Sequence, residues 1–170
     1  SDDGVRRRVI DFYQMHRLYE LLERQLVQDA GKGTEETITA LASFYFSRRR
    51  DAEARQTLER LVHPSDPPAA RAAGLFRIAS ELKGQNDLEA ACATVRRAIE
   101  LAADVRDYHF LLGEMESAAG HYAEAQAAFE HAFATSRTPE AAQEADQRLY
   151  DSLRNQREPG EEESRSASVR

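Results

Sequence analysis

Apolar residues along this chain recur at spacings of three and four, the period of a helix with one buried face, and rarely alternate as in a strand. Ile38, Leu41, Ala42 and Tyr45 mark one helix stripe and Ala54, Leu58 and Leu61 a second. Further stripes follow at Leu75, Ile78, Ala79 and Leu82, and at Leu88, Ala91, Val95 and Ala98. Ahead of them, Val5 to about Ala30 holds no Pro and no internal Gly and ends at Gly31-Lys32-Gly33. Val9, Phe12, His16, Tyr19 and Glu23 share one face there, and Met15, Leu18, Leu22 and Leu26 a neighbouring one, which predicts a single N-terminal amphipathic helix of about seven turns within residues 1–33. Asp66-Pro67-Pro68 and Thr138-Pro139-Glu140 both read as an N-cap followed by a first-turn Pro. The second of these opens a last helix through about Asn155, with Ala142, Ala145, Leu149 and Leu153 on one side and Glu144, Asp146, Gln147, Asp151 and Arg154 elsewhere, the profile of a solvating cap. Residues 157–170 have almost no apolar side chain to offset their ordering entropy and are expected to be a disordered tail.

The stripes repeat. Gly120 to Ala132 overlays the segment 34 residues earlier, with Tyr122 on Leu88, Ala125 on Ala91, Phe129 on Val95 and Ala132 on Ala98. The preceding helices follow, Leu75, Ile78, Ala79 and Leu82 returning as His109, Leu112, Gly113 and Glu116. A less regular copy lies upstream, three residues out of phase because the Pro67-Pro68 start lengthens the next helix. Small residues (Ala42, Ala79, Gly113, then Ala54, Ala91, Ala125) let helices approach closely, and Leu58, Val95 and Phe129 fill the space between units. A hairpin of this kind buries one face alone, so stacking closes the core.

This spacing resembles the tetratricopeptide repeat, a 34-residue helix-turn-helix unit. Gly113 with Ala125, Phe129 and Ala132 matches it best. The resemblance covers about 35–139, as units at about 35–68, 72–105 and 106–139. His109 and Glu116 depart from its apolar positions, and Arg49 stands where its inter-helix turn usually has Gly. The resemblance implies an all-α solenoid of antiparallel hairpins, a right-handed superhelix whose first helices line a concave peptide-binding groove. It places Thr39, Ser43 and Phe46, then Phe76, Ser80 and Lys83, then Phe110, Glu114 and Ser117 along that groove. The Lys, Asn and Arg set with which some members hold a C-terminal carboxylate is not met. The implied partner is a protein segment with apolar anchors, such as an amphipathic helix; packing of Phe46, Phe76 and Phe110 into neighbouring helices is the equal alternative.

Composition narrows the picture. The 170 residues contain 28 Ala against 8 Gly and 5 Pro, which favours helix, and a net charge of −7 argues against bulk nucleic-acid binding. The single Cys92 excludes an intramolecular disulfide, and no run of 18 apolar residues spans a membrane. Of 23 basic residues only Lys32 and Lys83 are Lys, which with the Ala content suggests a GC-rich bacterial source. The start at Ser1-Asp2-Asp3-Gly4 reads as that of a piece cut from a longer protein.

No catalytic constellation emerges. Gly31-Lys32-Gly33-Thr34 lacks phosphate-loop spacing and serves as a helix stop and start. No two of His16, His63, His109, His121 and His131 stand three or four apart, so no helix offers a metal pair. Cys92 lies between apolar neighbours, and the carboxylate pairs sit at a helix start and in the tail. The clusters Arg48-Arg49-Arg50 and Arg96-Arg97 read as solvated surface. The expectation is a non-enzymatic scaffold without cofactor or metal, binding protein rather than nucleic acid, in a bacterial multiprotein assembly for which envelope export is one setting. The N-terminal helix is expected to cap the first repeat; self-association through Phe12, Tyr13, Met15, Tyr19 and Leu22 is the alternative. The expected location is cytoplasmic, with Arg6-Arg7-Arg8 as the flank of a preceding inner-membrane anchor in a third reading.

Overall fold

The computed structural model describes the backbone of residues 2–167 and the side chains of residues 4–155 apart from Arg6. Within the tail expected to be disordered at 157–170 the backbone of the last helix runs on to Ala167, and residues 168–170 lie outside the described residues. The elements are α1 (Asp2–Met15), α2 (Tyr19–Ala30), α3 (Glu35–Ser47), α4 (Asp51–Leu58) with a 3₁₀ turn (Glu59–Leu61), α5 (Pro68–Gly84), α6 (Leu88–Leu101), α7 (Arg106–Ala118), α8 (Tyr122–Ala134) and α9 (Pro139–Ala167). Among the described residues there is no strand. The fold is an all-α solenoid of helix hairpins. It divides into two compact units, Ser1–His63 and Pro64–Arg170.

In the second unit each helix packs on the next, α5 on α6, α6 on α7, α7 on α8 and α8 on α9. The first helices of successive hairpins also meet, α5 with α7 and α7 with α9, so they form a row. The small residues permit this. Ala79, Ala91 and Ala125 are fully buried, and Val95 and Phe129 fill the space they leave. At Gly113 a Cβ would lie 2.7 Å from two carbons of the Phe129 ring, so only glycine fits that crossing.

The two polar departures from the repeat pattern are buried and satisfied. Glu116, 3% exposed, accepts from Arg96 of α6 and, at 2.8 Å, from His121 Nδ1 in the turn after α7. His109 Nε2 donates to the Ala103 carbonyl at 2.7 Å, and its ring stacks on His131 at 5.1 Å. Each sits near a helix end, where loop groups reach it, so neither is left unpaired in the core. At the start of α5 the N-cap position is Pro67 rather than the expected Asp66, with Pro68 in the first turn.

In the first unit α2 packs on α1 and α3, and α3 on α4. The single seven-turn helix expected at the N-terminus is two helices, α1 and α2, broken at His16–Leu18. The cause is a backbone cap. Arg17 takes φ 54°, and Leu18 N–H donates to the Tyr13 carbonyl at 2.9 Å, a six-to-one bond that closes α1. The same closure ends α3, α5 and α7, with Arg49, Asn86 and Gly120 in the left-handed position and bonds Arg50→Tyr45, Asp87→Leu82 and His121→Glu116 of 2.9–3.0 Å. A left-handed non-glycine residue costs about 1–2 kcal/mol, which the chain accepts at Arg17, Arg49 and Asn86. The α1–α2 segment is thus one more hairpin of the same design.

Candidate partner-binding groove

Phe76, Ser80 and Lys83 stand at i, i+4 and i+7 on α5, and Phe110, Glu114 and Ser117 do so on α7, so each trio follows one helix face. Contact between α5 and α7 brings the two rows alongside. Lys83 Nζ donates to Glu114 Oε2 at 2.6 Å, tying one row to the other. Arg148 of α9 approaches the second Glu114 oxygen at 3.5 Å. Beside this bridge lies a cleft of about 530 Å³ lined by Lys83, Glu114, Ser117, Ala118 and Phe129 and by Arg148, Asp151, Arg154 and Asn155 of α9.

The opposite end of the two rows is aromatic. Phe76 lies against Tyr108 with ring centroids 5.0 Å apart, and Phe110 meets the edge of Phe129 at 5.7 Å. The Arg106 guanidinium covers Phe110 at 4.3 Å and is itself fixed by Glu144 and Asp107. Both phenylalanines are half-buried, so they pack within the unit and still present surface. Burial, followed by the charge of Asp107, raises the Tyr108 hydroxyl above its ordinary value and keeps it neutral. Ser80 is exposed, and its hydroxyl donates back to the Phe76 carbonyl at 3.0 Å.

The remaining expected groove residues belong to the first unit. Thr39 Oγ1 donates back to the Glu35 and Glu36 carbonyls, and Ser43 is exposed. Phe46 is 9% exposed and part of the core, a correction to its expected place in the groove. The bulk of α3 explains it, since Phe44, Tyr45 and Phe46 are consecutive and all turn inward. Among the expected self-association residues, Phe12 is 51% and Met15 77% exposed, and Tyr13 is half-buried. Tyr19 is exposed, with the Arg48 guanidinium over its ring at 4.3 Å. Leu22 is corrected as well: at 1% exposure it is core, because the break before α2 turns that position inward.

Four cleft residues, Arg148, Asp151, Arg154 and Asn155, were not expected there. The spacing of Arg148, Asp151 and Asn155 at i, i+3 and i+7 puts them on one face, but charge alone does not separate a groove wall from a solvated cap. Among the described residues no three His, Cys, Asp or Glu side chains gather as metal ligands, and no helix is long and apolar enough to cross a membrane.

Residues 72–105, the α5–α6 hairpin, match the family model of the tetratricopeptide repeat. The chain carries a tetratricopeptide repeat. Proteins of this repeat type serve as protein–protein interaction scaffolds. No curated protein sequence matches the chain. Among solved structures, the chain is similar to a crystal structure of MamA at 17% identity, over 87% of this chain and 94% of that one, with a TM-score of 0.47. It is also similar to residues 41-end of MamA from Desulfovibrio magneticus RS-1, at 12% identity over 91% of this chain and 94% of that one, with a TM-score of 0.46.

Proposed function

We propose that this chain is a non-enzymatic scaffold that holds a segment of another protein along α5, α7 and α9. The repeat units are taken as about 35–68, 72–105 and 106–139. The observation that carries the reading is the cleft in which Lys83, Glu114 and Ser117 meet Arg148, Asp151 and Arg154. Half-buried Phe76 and Phe110 on the same two helix faces extend that surface with aromatic area. An amphipathic partner suits both ends, with apolar side chains against the phenylalanines and charges exchanging with the Lys83–Glu114–Arg148 bridge. A bacterial multiprotein assembly, with envelope export as one setting, is the context in which we place it.

The test begins with identification of host proteins retained by the chain and synthesis of the bound segment as a labelled peptide. Anisotropy titrations then compare the native chain with Arg148→Glu and with Phe76→Ser/Phe110→Ser, helicity being checked by circular dichroism. Loss of the exposed Arg148 charge or of the two half-buried phenylalanines is expected to weaken binding about tenfold or more. Unchanged affinity in both variants assigns these residues to packing and sinks the reading.

A further inference from the structure

We propose that the outer face of the α1–α2 hairpin docks on the same face of a second copy of this chain, about a twofold axis. The inference rests on the first unit alone and stands or falls separately from the groove. Nine large apolar side chains are exposed among the described residues, and seven of them lie between Val5 and Val27. Val5, Phe12 and Met15 on α1, and Leu21 and Val27 on α2, are the main contributors. Leu22, Leu26 and Ala30 of the same hairpin are already buried within the unit, so the exposed set is surplus to its own core. Exposed apolar side chains gathered on one hairpin mark an interaction surface.

Charge selects the occupant. The first unit has eleven basic and eleven acidic residues, so a second first unit meets no net repulsion. The second unit holds twelve basic and nineteen acidic residues and carries the whole net charge of −7, which suits water rather than an apolar contact. Along α1 the order Arg7, Arg8, Asp11 is self-complementary. An antiparallel copy centred between Val9 and Ile10 sets Arg8 opposite the partner's Asp11, and the axis repeats the pair. A twofold contact of this kind closes at two copies.

Sedimentation of the full chain over low to high micromolar concentration is expected to show the mass rising from 19.2 kDa to twice that value. Phe12→Ser/Met15→Ser, with helicity retained, is expected to weaken association about thirtyfold or more, the loss typical of a buried aromatic anchor. Arg8→Asp and Asp11→Arg are each expected to self-associate less, and a mixture of the two to form a mixed dimer, since every contact across the axis is then complementary. A mass fixed at 19.2 kDa, a dimer indifferent to Phe12→Ser/Met15→Ser, or no mixed dimer would each overturn the proposal. A chain that stays monomeric yet binds vesicles of mixed zwitterionic and anionic lipid would give the face to a membrane instead.

Discussion

The two units are built from the same hairpin yet treat their surfaces in opposite ways. The first is electrically balanced and leaves Phe12 and Met15 in solvent. The second carries the net charge, and its exposed large apolar residues among those described are Phe133 and Tyr150. Its polar side chains also do internal work: Glu116 is held by Arg96 and His121, and Glu114 by Lys83 and Arg148. The difference teaches that packing rules fix the hairpin, while what each unit meets outside is written in the residues those rules leave free.

Substitutions can break or sharpen this contrast. The largest effect is expected in the second unit at Phe129→Ala, which empties the space against Gly113 and should cost about 3–5 kcal/mol in urea unfolding. Gly113→Ala, which drives a methyl group into that ring, should cost about 1–3 kcal/mol by the same measurement. Glu116→Leu restores the residue type found at Leu82 in the preceding unit. Arg96 and His121 are both more than half exposed, so losing the carboxylate strands no buried charge, and the variant should gain about 1 kcal/mol.

A smaller effect depends on pH. Burial first, and the Glu116 charge second, push the Cys92 thiol from 9.0 to about 11. The unfolded chain releases that proton at lower pH than the folded one. The stability held in the protonated thiol is therefore intact below pH 9 and drains as pH climbs toward 11. Cys92→Ala should flatten this stretch of the stability curve, read as unfolding midpoints at about pH 8 and about pH 10.5. Smallest of all, Met15→Ser in the first unit should leave the stability of the monomer within about 0.5 kcal/mol, because the side chain is already in water.

Much of the fold was legible in the sequence because it is carried by periodicity and side-chain size. The small residues at 79, 91, 113 and 125 are buried where the 34-residue period puts them. The α1–α2 break was not legible, because its left-handed position is filled by Arg17, and no Gly, Asn or Pro marks the turn. Arg49 shows the same thing: a six-to-one backbone bond closes the turn whatever side chain it bears. In the groove, Lys83, Glu114 and Ser117 share one cleft as helix geometry allows. Phe46 does not join them, since spacing along one helix cannot say that all three of the consecutive residues Phe44, Tyr45 and Phe46 will be swallowed by the core. Arg148 and Asp151 escaped notice because a charged face looks alike in sequence whether it bounds a cleft or faces open water.

The crossing of α7 over α8 shows how far one absent methyl group reaches. Position 113 is shut to alanine, leucine and every other good helix former for as long as position 129 keeps its ring. A helix there must live with its poorest non-proline builder, a handicap of about 1 kcal/mol. Any lineage of this protein that improves the one site must first shrink the other, so the two residues are bound to change together or stay as they are.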